Sequence, residues 1–218
     1  MLGLFWKGIL TIVDLGKMNP LLLASSSPRR ATLLKRIGVH FQDFDPNVDE
    51  RRHFSESPFQ YVERVARLKA LAGKKAYPCR LVLAADTVVC LGQKVLGKPD
   101  DKSEAISTLE ALSGKQHEVI TSVILIDEAQ KERVATVTTH VDFHHLDFAT
   151  IHSYVACGES DDKAGAYAIQ GLGSILVRGV SGSLSNVSGL PLEETIALLN
   201  FSKVPHVFSL VSFLSKKL

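Results

Sequence analysis

Several things that would narrow the function quickly are scarce in this sequence. Its 218 residues hold three cysteines, Cys79, Cys90 and Cys157, scattered and odd in number. That pattern excludes a disulfide framework and the paired spacing of a zinc site, and it points to a reducing compartment. Charge of one sign is also lacking. A net charge of +2 at pH 7 gives no general attraction to nucleic acid or to a membrane, so any anion must be met by a local cluster. The apolar start, Leu4-Phe5-Trp6 and residues 9–13, is interrupted by Lys7 and followed by Asp14. It is too short to span a bilayer, and no small-residue cleavage site follows it. There is no internal repeat, no low-complexity tract and no clear linker. A Walker lysine after a Gly-rich loop is missing, as is Gly-x-Gly-x-x-Gly, which disfavours a kinase or P-loop ATPase.

What is present is ordinary globular composition, 45% hydrophobic and 22% charged, enough for one large core. Residues 1–17 are expected to be an extension, disordered or peripheral, ahead of a single catalytic domain over residues 18–218. The chain is organised around Leu21-Leu22-Leu23-Ala24-Ser25-Ser26-Ser27-Pro28-Arg29-Arg30, which reads as strand, tight loop and helix start. Ser27 is placed to cap the helix, Pro28 suits its first position and Gly38 ends it. The free N–H groups and positive dipole end favour a phosphate, with Arg29 and Arg30 adding forked donors. A capped surface helix with solvated arginines remains the alternative.

Residues 39–45 alternate as a second strand, and Asn47-Val48-Asp49-Glu50-Arg51-Arg52 follows in a polar loop. A helix begins at Ser57-Pro58 with Phe59, Val62, Val65, Ala66 and Leu68 as its buried stripe. Lys69 lies at the edge of that stripe, pointing either to solvent or into a cleft. Residues 81–91 are apolar at nearly every position, as in a strand buried on both faces, yet Asp86 interrupts them. Burying it requires a partner, since desolvating an unpaired charge costs several kcal/mol; otherwise the strand stops at Ala85. Lys98 sits between Gly97 and Pro99. Asp101 and Glu104 resemble a capping box, residues 117–126 and 133–143 an antiparallel hairpin, and residues 147–157 a helix. His144 and His145 are neighbours that point apart, a poor joint metal site. Residues 158–173 mix small residues with Asp162, Lys163 and Gln170, as in a ligand-facing loop or an ordinary Gly-rich connection. A strand over residues 175–180, a polar loop over 181–189 and a helix from Leu190-Pro191 complete the pattern. Residues 204–214 are apolar and ambiguous.

The cations Arg29, Arg30, Lys69, Lys98 and Lys163 against Glu50 and Asp86 suit a polyphosphate with a divalent metal. Five motifs in order, Ser25-Ser26-Ser27-Pro28-Arg29-Arg30, Ala85-Asp86-Thr87-Val88-Val89, Gly97-Lys98-Pro99, residues 162–171 and residues 185–192, together resemble the Maf family of nucleotide pyrophosphatases. The resemblance implies a two-lobed α/β, Maf-like (ITPase-like) fold around a long mixed β-sheet, with flanking helices and a central cleft. It implies a cytoplasmic enzyme, often a homodimer, that uses Mg2+ or Mn2+ to cleave a nucleoside triphosphate into the monophosphate and pyrophosphate. Asp86 would be catalytic, Glu50 and Asp86 would hold the metal, and Ser27, Arg29, Arg30, Lys69, Lys98 and Lys163 would bind substrate.

Arg29, Thr87 and Gln170 resemble the dTTP/UTP branch, whereas the branch acting on 7-methyl-GTP carries tryptophan, glutamine and glutamate. Uracil presents acceptor, donor and acceptor along one edge, and the Gln170 amide offers a donor with an acceptor. Two other readings stand beside this one. One is a nucleotide-binding regulator of cell division or septum formation acting through protein contacts. The other is an enzyme clearing modified pyrimidine nucleotides. A pyrophosphate-release screen separates enzyme from regulator.

Overall fold

The structure, a computed structural model, describes residues 20–208. The expectation for residues 1–17 and most of the ambiguous stretch 204–214 lie outside the described residues. A seven-stranded mixed sheet organises the rest, in the order β2-β1-β3-β5-β6-β7 with β4 added to one edge of β3. β1 (Leu21–Ala24), β2 (Phe41–Phe44) and β3 (Val82–Leu91) form its parallel part. β4 (Lys94–Leu96), β5 (Gln116–Ile126), β6 (Glu132–Phe143) and β7 (Val177–Ser181) are antiparallel to their neighbours. The helices are α1 (Pro28–Arg36), α2 (Pro58–Ala76), α3 (Lys102–Leu112), α4 (Phe148–Ala156), α5 (Leu184–Val187) and α6 (Leu192–Phe201), with 3-10 turns at Ala164–Ala166 and Leu172–Leu176.

β3 runs unbroken through Asp86, so the alternative ending at Ala85 is excluded. One edge of β3 is paired to β5 along nearly its whole length, from Val82↔Ile126 to Cys90↔Glu118. The other edge is not. There β1 accompanies β3 only to Ala84, and β4 only from Val89 onward. Both strands end by their C-termini toward the uncovered stretch, so the chain leaving β1 delivers residues 25–30 to it and the chain leaving β4 delivers Gly97 and Lys98. A cleft at the carboxyl ends of sheet strands is the position where α/β folds commonly take ligands.

Two cores flank this cleft. Leu21, Leu23, Leu34, Leu83, Val123 and Leu199 belong to one; Val89, Leu109, Leu112, Val141, Phe143 and Tyr167 belong to the other. On the opposite face α2 packs on Leu22, Ala24, Val82 and Ala84 through Ala66 and Ala70. Gly73 allows that close approach: a Cβ there would lie 2.8 Å from Val82 Cγ1 and 3.3 Å from Ala24 Cβ.

Helix ends follow the expected chemistry with instructive exceptions. Ser57 and Gln60 form a capping box on α2, and Asp101 accepts the Glu104 N–H on α3. Glu104 reaches back to the Asp100 N–H, one residue earlier than a standard box. Ser27 occupies the N-cap of α1 but its side chain makes no cap bond, contrary to expectation. The Ser27 N–H instead donates to Ser25 Oγ at 3.2 Å, the hydroxyl that also receives Arg30. Phe59, expected in the buried stripe of α2, is 46% exposed because the stripe runs through Val62, Val65, Ala66, Lys69, Ala70 and Gly73. The strand expected over residues 175–180 starts two residues later, after the second 3-10 turn. The polar loop over 181–189 contains α5, capped by Ser183 Oγ.

Candidate active site

Alternation along β3 sends Asp86 to the face covered by α2 and Thr87 to the opposite face, where α1 lies. Each is met by a cation from its own helix. Lys69 falls in the buried stripe of α2, one turn from Val65 and Ala66, so its chain reaches under the helix to the gap in β3. Its Nζ lies 2.7 Å from Asp86 Oδ1 and 2.8 Å from Glu50 Oε1. The Glu50 backbone is held in place by the Tyr61 hydroxyl, which donates to its carbonyl at 2.8 Å. Asp86 Oδ2 makes no hydrogen bond among the described residues. Burial pushes the Asp86 carboxyl well above the usual carboxylate range, while Lys69 and then Arg30 pull it back. The result is an ionisable oxygen with raised proton affinity on a cleft wall.

On the other face Arg30, buried at the start of α1, joins three segments. Its Nε donates to the Gly189 carbonyl at 2.8 Å, one terminal nitrogen to Ser25 Oγ at 3.1 Å and the other to Thr87 Oγ1 at 3.0 Å. Thr87 in turn lies 2.9 Å from Thr121 Oγ1 on β5. Burial lowers the Arg30 pKa, and the Asp86 charge opposes that. Arg30 therefore spends much of its fork on the protein itself, whereas Arg29 makes no side-chain hydrogen bond among the described residues.

The cleft has a volume of about 670 Å³. It brings together Ser27, Arg29, Arg30, Glu50, Lys69, Asp86, Thr87, Lys98, Lys163 and Gln170, every site residue singled out in the sequence. Its charged lining is five cations, Arg29, Arg30, Lys69, Lys98 and Lys163, against three carboxylates, Glu50, Asp86 and Asp162. Lys163 is paired with Asp162, whose acidity the contact raises. Lys98 is exposed on the rim, and Gly165 N–H donates to the Gly97 carbonyl at 3.0 Å, tying the β4 turn to the loop bearing Lys163. Gln170 is exposed, its amide without a hydrogen bond among the described residues. A volume of this order holds a nucleotide-sized ligand, and the excess of cations suits a polyanion.

Over residues 20–201 the chain matches the family described as Maf-like protein. The chain belongs to the Maf family. This Maf protein is 48% identical over 188 residues to the dTTP/UTP pyrophosphatase of Alcanivorax borkumensis, a match covering 85% of this chain and 97% of that protein. It is 49% identical over 183 residues to the dTTP/UTP pyrophosphatase of Xanthomonas euvesicatoria pv. vesicatoria, covering 82% and 96% respectively. Among solved structures, the Staphylococcus aureus Ham1 protein superposes with a TM-score of 0.50 at 14% identity, covering 84% of this chain and 100% of that one, a likeness of fold alone. Among the described residues no helix is long and apolar enough to cross a membrane.

Sequence reading assigned no individual role to several residues around the cleft. Ser25, Gly189 and Thr121 bond Arg30 or Thr87 directly, and the Asn186 carbonyl accepts from Thr121 Oγ1 at 3.3 Å; each is a small polar residue or glycine whose role appears only when distant segments meet. Asn186, fully buried, donates from Nδ2 to the Val119 carbonyl and to Thr139 Oγ1, both at 2.9 Å, locking α5 against β5 and β6. Lys69 did carry a signal, since spacing from Val62 through Ala66 to Gly73 puts it on the core face.

Glu50 and Asp86 fit a hard dication. Their oxygens converge on one point, marked by the Lys69 ammonium, and Mg2+ is commonly held by one or two carboxylates with phosphate oxygens and water completing the shell. No third His, Cys, Asp or Glu joins them among the described residues.

Proposed function

We propose that this Maf protein hydrolyses dTTP and UTP to the monophosphate and pyrophosphate. The observation carrying this reading is the Asp86 carboxylate, buried in the gap of β3 at 2.7 Å from Lys69, in a nucleotide-sized cleft lined by five cations. The names of its relatives at 48–49% identity support the substrate class.

In this reading Arg29, Lys98 and Lys163 hold the phosphates from the open walls, with the uncommitted N–H groups at the start of α1 beside Ser27 adding donors. Arg30 keeps the phosphate loop, β3 and the Gly189 turn in register. Glu50 and Asp86 would hold a divalent cation, Mg2+ or Mn2+, which would neutralise phosphate charge and polarise the anhydride. Lys69 balances the same two carboxylates when they stand alone. Asp86 Oδ2, raised in proton affinity by burial, accepts a proton from the water that opens the anhydride between the α and β phosphates. Gln170 meets the base edge, and Arg29 and Thr87 shape the pocket beside it. The proposal extends to a homodimer, as the family resemblance implies, and to a cytoplasmic setting, supported by the exposed free thiols of Cys79 and Cys157.

The test is product analysis with each nucleoside triphosphate under saturating Mg2+. Equimolar pyrophosphate and monophosphate, fastest from UTP and dTTP, is the expected outcome. Orthophosphate release, or no turnover of any nucleotide, would reject the proposal.

A further inference from the structure

Gln170 sits on a short turn, closed by the Gly171 N–H donating to the Ala168 carbonyl at 3.2 Å. That turn is held from behind, by two residues outside the recognised motifs. Glu159, just after α4, accepts the Leu172 N–H on Oε1 at 3.1 Å and the Gly173 N–H on Oε2 at 2.8 Å. The same Oε2 accepts the Tyr154 hydroxyl at 2.9 Å. That hydroxyl accepts the Ala168 N–H at 3.1 Å. Backbone groups on both sides of Gln170 thus end, directly or through Tyr154, on one carboxylate.

The glycines mark how tight the fit is. A Cβ on Gly171 would lie 1.7 Å from Glu159 Oε1, and one on Gly173 would lie 2.8 Å from the Tyr154 hydroxyl oxygen. Glu159 has no ion-pair partner among the described residues, so its negative charge is satisfied by these N–H and O–H donors. Charge-assisted bonds of this kind are roughly twice as strong as neutral ones.

We propose that Glu159 is a specificity-positioning residue: with Tyr154 it fixes the 168–173 turn so that the Gln170 amide meets the pyrimidine edge. The inference rests on the proposed reading of Gln170 as the base-contacting side chain. The phosphate-binding cations come mainly from other segments, so loosening this turn separates base recognition from phosphate binding. Cytosine offers donor, acceptor and acceptor where uracil offers acceptor, donor and acceptor, which makes CTP the control substrate.

The experiment compares Glu159→Gln, Tyr154→Phe and Gln170→Ala with the wild type, using steady-state hydrolysis of UTP and CTP and competitive inhibition by inorganic pyrophosphate. Glu159→Gln keeps the shape and one acceptor oxygen but removes the charge and one acceptor. It is expected to raise KM for UTP about tenfold and narrow the UTP-over-CTP preference by a similar factor, with kcat within about twofold. The pyrophosphate inhibition constant should stay unchanged, and Tyr154→Phe should move the preference in the same direction by less. If Gln170→Ala narrows the preference and neither Glu159→Gln nor Tyr154→Phe does, the positioning role is wrong. A pyrophosphate constant that weakens in step with KM, or a loss confined to kcat, also overturns it. If Gln170→Ala leaves the preference intact, the underlying assignment of Gln170 fails first. Should Glu159→Gln not fold, the Tyr154→Phe result decides.

Discussion

Lys69 Nζ and Asp86 Oδ1 lie 2.7 Å apart with both side chains more than nine-tenths buried, 8% and 9% exposed. Breaking a buried pair by removing one member leaves the other charge without compensation, typically costing 3–5 kcal/mol. Lys69→Met should therefore cost about 3 kcal/mol of stability at pH 8. The sign with pH follows from Asp86, whose folded pKa is already raised and rises further without Lys69. The folded state then holds a proton that the unfolded chain has released, so stability falls as pH rises above the ordinary carboxylate value. Urea unfolding at pH 5 and pH 8 checks this; a loss that is larger at pH 5 contradicts it.

Asp86→Asn keeps the shape and removes the proton acceptor. General-base assistance contributes about 10²–10⁴ in rate, and kcat for UTP should fall by about that factor with Mg2+ saturating. Circular dichroism should be unaltered. Near-full turnover in this variant would exclude Asp86 from proton transfer.

Arg29 and Arg30 are adjacent and should respond differently to lysine. Arg30→Lys loses the fork that joins Ser25, Thr87 and Gly189, and a lysine cannot reproduce three fixed directions. We expect a drop in unfolding free energy of about 1–3 kcal/mol together with lower kcat/KM. Arg29→Lys should raise KM with stability unchanged. Equal melting temperatures for both variants would refute the distinction.

Gln170→Glu places an acceptor-only carboxylate at the base edge. Loss of UTP and dTTP hydrolysis by about a hundredfold, with much smaller change for nucleotides whose base edge donates, is the expected pattern. A uniform loss across all nucleotides would show that position 170 does not read the base.

His117 gives the site's supporting core a pH dependence. Its Nε2 lies 2.9 Å from the Tyr167 hydroxyl oxygen, its Nδ1 has no partner among the described residues, and burial pulls its pKa down to about 4. The unfolded chain binds a proton near pH 6.5 and the folded chain does not until about pH 4. Stability is therefore full above pH 6.5 and declines as pH falls through that window, by about 3 kcal/mol. Denaturation curves at pH 7 and 4.5 should differ by less in His117→Gln than in the wild type. The same difference in both would assign the acid sensitivity elsewhere.

How much was legible in the sequence depended on how local each signal was. The anomaly of Asp86 inside an apolar run was visible because strand burial is written in consecutive residues, and the gap in β3 gives it a physical cause. The site residues were readable as types that suit phosphate and metal. Their division of labour was not. Arg29 and Arg30 look alike in one dimension, and only the meeting of α1 with β3 and the Gly189 turn separates them. Glu159 was invisible for the same reason: its partners are backbone N–H groups thirteen and fourteen residues away, which no side-chain pattern records. The cap expected at Ser27 failed where the loop folds back on itself: its hydroxyl accepts no helix N–H, and its own N–H donates to Ser25 Oγ.

The unbroken ladder between β3 and β5 has a mechanical consequence. The floor of the notch is one continuous beam, so its two walls cannot swing open like jaws without stripping hydrogen bonds from the stiffest part of the molecule. The rims are tied down as well, the Lys98 turn by the Gly97 carbonyl accepting from Gly165 and the Gln170 turn by Glu159 and Tyr154. A ligand entering this notch therefore meets walls whose spacing the sheet has set before it arrives.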